Sequence, residues 1–216
     1  MKYIKILGNG PSIKNFNYNF RDDNIIIGTN NIILDKKFSQ NKNYIYTAYD
    51  KSFFKKKNVK WLNALNESKC QVYFTKKDYF YVKSFLKKKI KNFNFLKKYK
   101  FINKFIKKFS TYNNKLSTVI IERAIPLSLY IAMTYKIKFI NLYGCEFNYY
   151  LNKKGKLTYK SYFYGNNNKY FRHTLDSATK WKEYNIKKFV KIKFYLNNLG
   201  LFIKDKTPNG SLNFLN

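Results

Sequence analysis

The chain opens with a mostly apolar run, Tyr3-Ile4-Lys5-Ile6-Leu7, that stops abruptly at Gly8-Asn9-Gly10-Pro11-Ser12. The run reads as a buried strand. Gly8 and Gly10 permit backbone angles and close approaches that a Cβ forbids. Pro11 suits the first position of a helix or turn, and Ser12 suits a cap. A strand that ends this way at the start of an α/β sheet is where nucleotides dock, with backbone N–H groups aimed at an anion. The same five residues also fit a plain Gly/Pro turn, because a short glycine motif is weakly specific.

Further apolar runs follow at intervals. Residues 24–28 (NIIIG) predict a second strand that ends at Thr29-Asn30-Asn31, and residues 44–49 (YIYTAY) a third that ends at Asp50. Residues 71–75 predict a fourth and 199–203 a last one. Residues 138–143 (KFINLY) predict the fifth, followed by Gly144-Cys145-Glu146. Short continuous apolar runs are the pattern of strands buried on both faces. Residues 124–135 form an apolar helical stretch with Pro126 near its start, where proline is tolerated. Residues 176–190 form an amphipathic helix with Trp181, Tyr184, Ile186 and Val190 facing inward. The alternation predicts one α/β domain over residues 1–216, a Rossmann-like, mostly parallel sheet with helices on both faces. Asn9, Asn30, Asp50 and Glu146 gather at the carboxyl ends of its strands, the edge where open α/β sheets bind ligands.

Two segments depart from this rhythm. Residues 85–109 are strongly basic, with Leu86, Ile90, Phe93, Ile102, Phe105 and Phe109 at helical spacing. They fit either a face laid on an anionic membrane surface or helices packed on the sheet with lysines outward, and the second is the ordinary case. Residues 148–172 are rich in Tyr, Asn, Lys and Gly, with weak periodicity. A segment of that length straight after the fifth strand predicts a lid.

Composition narrows the function classes. Hydrophobic residues are 45% and aromatic residues 20% of the chain, which excludes a disordered tail. No apolar stretch approaches the roughly 18 residues that a bilayer span needs, and the interrupted first run is no signal peptide. Cys70 and Cys145 lie far apart and read as reduced, buried thiols of a cytoplasmic protein. The net charge of +33 is carried almost wholly by lysine, with arginine only at 21, 123 and 172. Specific base readout and bidentate phosphate clamps favour arginine. The charge therefore indicates an acidic substrate or surface and no specific nucleic acid.

The chemistry has few candidates. His173 is the only histidine, and it directly follows the predicted lid. Surrounding lysines disfavour its protonation and suit it to be a general base, although a lone histidine is more often structural. Tyr159, Tyr162, Tyr164 and Tyr170 crowd the segment before it, and Arg172 is adjacent. One histidine and two separated cysteines make no standard zinc site, no Asp-x-Asp pair is present to hold magnesium on a nucleotide sugar, and no P-loop occurs. A nucleotide enzyme built from this chain is expected to work without metal or other cofactor.

These residues resemble the bacterial sialyltransferases of glycosyltransferase family 42. Gly8-Asn9-Gly10-Pro11-Ser12 matches the family's nucleotide-binding turn, and Asn30 matches its asparagine near the donor. Asp50 stands where the family has asparagine. Gly144-Cys145-Glu146-Phe147 matches a Gly-x-Asp-Phe motif, with Glu for Asp. Lys169-Tyr170-Phe171-Arg172-His173-Thr174 resembles a His-Tyr-x-Gly-His-Ser stretch whose second histidine is the catalytic base, which falls on His173. Two lid tyrosines of the family hold the leaving phosphate. Tyr159 matches one; the other falls near Asn148, which leaves Tyr149 or Tyr162. An Arg-x-x-Ser-Gly segment of the family has no clean counterpart, and Ser117, Thr118 and Arg123 are the candidates.

The resemblance implies a CMP-sialic acid or related CMP-nonulosonate donor, a surface-glycan acceptor of the lipooligosaccharide kind, and one inverting, metal-independent displacement. Its relatives form oligomers. The cysteines place the protein in the cytoplasm, and the basic stretch 85–109 leaves a peripheral place on the inner face of the membrane as the alternative to packed helices. The Gly28-Thr29-Asn30 stretch and Asp50 look equally like pterin pyrophosphokinase-like proteins and flagellin nonulosonate transferases. A basic module that binds RNA or anionic lipid without catalysis is the alternative from another class.

Overall fold

The computed structural model describes residues 2–18, 24–48, 59–74, 99–101, 124–133, 135–146, 175–208, 210–212 and 215–216. They form two compact units. One comprises Met1–Asp22 and Ile137–Asn216, the other Asp23–Lys136.

In the first unit β1 (Tyr3–Leu7), β6 (Phe139–Tyr143) and β7 (Phe202–Asp205) lie side by side in the order β1-β6-β7. Both pairings are parallel. β1 and β6 pair with Tyr3 opposite Phe139 and Leu7 opposite Tyr143. The two strands therefore end together, and Gly8 comes to lie beside Gly144. Ile4, Ile6, Ile140, Leu142 and Ile203 are buried. On the other side of the pleat Tyr3, Phe139 and Phe202 form a cross-strand aromatic row, with ring centroids 5.9 and 5.7 Å apart. The exposed–buried alternation of β7 is that of a strand with one face toward solvent.

The second unit holds β2 (Ile25–Thr29), β3 (Ile45–Thr47), β4 (Gln71–Phe74) and β5 (Tyr99–Phe101), in the order β2-β3-β4-β5, again with parallel pairing from β2 through β5. Every residue of β3 and all but the first of β2 are buried, as strands covered on both faces should be. Short α1 (Lys36–Ser39) and α2 (Val59–Glu67) pack on the turn 30–34, and α3 (Ala124–Ala132) lies against β2 and β3. The fold is α/β and Rossmann-like, with parallel strand pairing throughout the described residues.

Three expectations need correction. Residues 99–101, inside the basic stretch read as helical, are β5; apolar residues at 99 and 101 carry a strand's period as well as a helix's. The remainder of residues 85–109, with its proposed membrane face, lies outside the described residues. The last strand begins at Phe202 rather than 199, because the preceding helix α4 (Leu175–Asn198) runs eight residues past 190. Gly200, with φ +70°, closes that helix: the N–H groups of Gly200 and Leu201 donate to the carbonyls of Asn197 and Leu196, both at 2.9 Å. Finally, α4 turns inward on Phe189, Ile192 and Leu196, whereas Tyr184 and Val190 are about half exposed. Among the described residues no helix is long and apolar enough to cross a membrane.

Candidate functional site

The in-register ends of β1 and β6 bring the candidate residues of the first unit together. Gly8 N–H donates to Tyr143 O at 2.7 Å, and Gly10 N–H to Gly144 O at 2.8 Å. The chain then enters a 3-10 turn, Pro11–Asn15, with Pro11 at its first position as expected. Ser12 is not its cap. Gly10 holds the cap position and has no side chain to offer. The acceptor arrives from a residue 134 positions away: Ser12 N–H donates to Glu146 Oε1 at 2.8 Å. A carboxylate at the start of a helical turn satisfies one orphan donor and meets the positive end of the peptide dipoles.

The glycines follow from that contact. Gly10 has an ordinary extended backbone, φ −71° and ψ 162°. It is glycine because Glu146 Oε2 fills the place of its side chain; an added Cβ would sit 1.4 Å from that oxygen. Gly144 does use glycine's freedom, at φ +64°, with Ile13 packed where its Cβ would be. The amides of Gly8, Gly10 and Ser12 are all spent within the protein, so they are not the free anion cradle that the sequence predicts.

The turn instead presents acceptors. Asn9 Oδ1 and Glu146 Oε2 are buried atoms with no hydrogen-bond partner. An unpaired buried acceptor is costly, on the order of 1–3 kcal/mol, and natural folds keep few of them without a reason. Behind Glu146, Cys145 N–H donates to Thr207 Oγ1 at 3.0 Å, Thr207 N–H to Asp205 Oδ1 at 3.0 Å, and Ser211 N–H to Glu146 O at 3.0 Å. The segment after β7 thus straps the loop that carries Glu146. Asp205 is buried, and burial raises its pKa above the ordinary 3.8; hydrogen bonds from Thr207 and Leu212 oppose the shift, and the nearby Glu146 carboxylate adds to it. Burial also pushes the Cys145 thiol well up, so Cys145 is an inert thiol rather than a nucleophile. Cys70 and Cys145 are both buried thiols outside any disulfide, as expected.

Asn30 occupies the carboxyl end of β2 in the second unit. It is the one non-glycine residue with positive φ among those described, at 49°. Its carbonyl accepts from Tyr46 Oη at 2.6 Å and from Trp61 Nε1 at 3.4 Å, and Trp61 Nε1 also donates to Tyr46 Oη at 2.8 Å. Asn30 Oδ1 is buried and unpaired. A non-glycine residue held in a left-handed conformation is strained by roughly 1–2 kcal/mol, and such strain clusters at functional sites.

The structure therefore describes Gly8, Asn9, Gly10, Ser12, Gly144 and Glu146 as one assembly within the first unit, and Asn30 within the second. Asp50, Arg123, Tyr149, Tyr159, Tyr162 and His173, with the predicted lid, lie outside the described residues. Sequence reading missed Asp205 and Thr207, although Asp-Lys-Thr after a strand is the spacing of an Asx turn. It also missed Tyr46 and Trp61, which nothing in the sequence pairs with Asn30. Among the described residues no three His, Cys, Asp or Glu side chains are grouped to hold a metal ion.

No protein-family model and no curated protein matches this sequence. Solved structures do match. The sialyltransferase CST-II, in complex with a trisaccharide acceptor and CMP, is 17% identical, with a TM-score of 0.50 over 96% of this chain and 82% of that one. CstII from Campylobacter jejuni, in complex with the substrate analogue cytidine-5'-monophosphate, is 18% identical, with a TM-score of 0.48 over 97% and 82%. At this identity the likeness is one of fold.

Proposed function

We propose that the protein is a glycosyltransferase that moves a sialic acid or related nonulosonic acid from a CMP-activated donor to a glycan acceptor. The observation that carries this reading is the pair of unpaired acceptors, Asn9 Oδ1 and Glu146 Oε2, beside the glycine turn. They call for hydroxyl or amino hydrogens. A nucleoside supplies both, whereas a bare phosphate dianion supplies neither. The fold's likeness to a sialyltransferase whose complex holds CMP and a trisaccharide acceptor supports the same choice.

In this reading His173 takes the proton of the acceptor hydroxyl as its oxygen attacks the anomeric carbon of the donor sugar. The bond from that carbon to the phosphate oxygen breaks in the same step, and its electron pair leaves with CMP. Configuration inverts. The charge that develops on the leaving phosphate meets the hydroxyls of Tyr159 and of Tyr149 or Tyr162, together with Arg123. Such prepositioned donors are the usual main source of rate. The amides of Gly8, Gly10 and Ser12 take no part, because they are already bonded. Asn9 and Asn30 orient the donor, Glu146 fixes the turn through Oε1 and accepts a ribose hydroxyl at Oε2, and the segment 148–172 closes over the donor to exclude water. Asp50 stands in for the family's asparagine on the donor side.

The test is turnover. Incubated with CMP-sialic acid, a galactose-terminated acceptor and EDTA, the protein is expected to release CMP and sialylate the acceptor at the rate seen with magnesium. Release that requires magnesium and ATP would point to the pyrophosphokinase-like reading instead. No turnover, with RNA or vesicle binding that falls steeply with salt, would leave a binding module.

A further inference from the structure

We propose that Tyr46 and Trp61 form a positioning relay that holds Asn30 in its left-handed conformation and keeps the Asn30 side-chain carbonyl unpaired, ready for a hydroxyl or amino group of a bound nucleotide donor. The ligand part of this inference rests on the proposed function; the conformational part does not.

Asparagine tolerates a left-handed backbone usually because its short side chain folds back onto nearby main chain. Asn30 does not do this: its Oδ1 is buried with no partner. What holds the residue is on its other side. The Asn30 carbonyl accepts the Tyr46 hydroxyl at 2.6 Å, a short bond, and Trp61 Nε1 adds a longer contact at 3.4 Å. Trp61 Nε1 in turn donates to Tyr46 Oη at 2.8 Å, which leaves the tyrosine's own hydrogen to point at Asn30. The three groups thus form a directed chain, indole N–H to phenol to carbonyl.

Both relay side chains are fixed. Tyr46 is fully buried and Trp61 is 2% exposed. Tyr46 sits on β3 between Phe38 and Trp61, with ring centroids 6.5 and 6.4 Å away. Burial holds its hydroxyl protonated, so it remains a donor at any working pH. The strand before Asn30 is also locked, because Phe38 and Ile32 fill the space above Gly28. A rigid clamp on the carbonyl sets the Asn30 peptide plane, and the left-handed φ of 49° then sets the direction of the side chain.

A purely structural tyrosine would affect stability alone. The relay predicts more. Tyr46→Phe keeps the ring and deletes the hydroxyl, so in this variant Asn30 should relax toward a right-handed or extended backbone. The backbone carbon chemical shifts of Asn30 read that change directly, with no ligand present. CMP titrated by calorimetry should show a dissociation constant raised about tenfold, equivalent to about 1.4 kcal/mol. Asn30→Gly, which accepts the left-handed conformation and removes the side chain, should weaken CMP binding by a similar factor. In the Asn30→Gly background Tyr46→Phe should leave CMP affinity unchanged while still lowering Tm. Trp61→Phe provides a second, milder entry to the same measurements if Tyr46→Phe does not fold.

Left-handed shifts retained in Tyr46→Phe and Trp61→Phe would overturn the relay. So would losses of CMP affinity that simply add in the double variant. Wild-type protein that fails to bind CMP would instead overturn the donor reading, and the chemical shifts alone would then decide the relay.

Discussion

Alanine in place of His173 is expected to lower kcat by about 10² to 10⁴-fold, the usual worth of a general base, and to leave CMP affinity within about twofold, since a base that serves only the attacking hydroxyl contributes nothing to nucleotide binding. The pair of measurements separates three roles. A donor-binding role would raise the dissociation constant for CMP in step with the lost rate. A structural role would lower Tm and expression along with activity. A base role moves kcat alone and removes the acid limb of the pH–rate profile. A His173→Ala enzyme that turns over normally would dismiss the assignment.

The second large effect is expected at Gly10. Alanine there places a carbon where Glu146 Oε2 now lies, 1.4 Å from the ideal Cβ position, and 2.8 Å from the carbonyl oxygen of Gly144. Overpacking of this kind costs about 1–3 kcal/mol. Moving the carboxylate also breaks its bond to Ser12 N–H, which leaves a buried acceptor and an amide unpaired for about 1–3 kcal/mol more. In a chain of this size each kcal/mol lowers Tm by about 2–4 °C. Gly10→Ala should therefore melt roughly 4–24 °C below wild type. Glu146→Ala removes the main obstacle, so the two substitutions should be coupled by about 1–3 kcal/mol when melting is compared across the double-variant cycle. Independent, additive losses would mean that Glu146 does not occupy the space beside Gly10.

The strands were the most legible part of the chain. Tyr3–Leu7 is a strand over the residues expected, and the second through fifth predicted strands differ from the observed ones by at most two residues at any end, because compact β-branched and aromatic runs carry their own signal. The inward face of α4 was not legible. Its sequence carries apolar residues on more than one face, and only packing selects Phe189, Ile192 and Leu196. The glycine turn lies where the sequence places it, but its Gly8, Gly10 and Ser12 amides are not free. Its spacing is that of a phosphate cradle, yet Glu146, remote in sequence, takes the Ser12 amide, and no local pattern discloses a contact across 134 positions. The Tyr46–Trp61 clamp on Asn30 is a tertiary contact of the same kind.

The proposal that this turn serves a cytidine nucleotide is tested most directly by thermal stability with CMP, UDP, ATP and a pterin, each with and without magnesium. A ligand at about 100 times its dissociation constant stabilises the native state by about 2.7 kcal/mol, which corresponds to a rise in Tm of roughly 5–10 °C here. The account predicts that rise with CMP, unchanged by magnesium, and its absence in Asn9→Ala. A protein that ignores CMP and is stabilised by ATP with magnesium, or by none of these ligands, contradicts it.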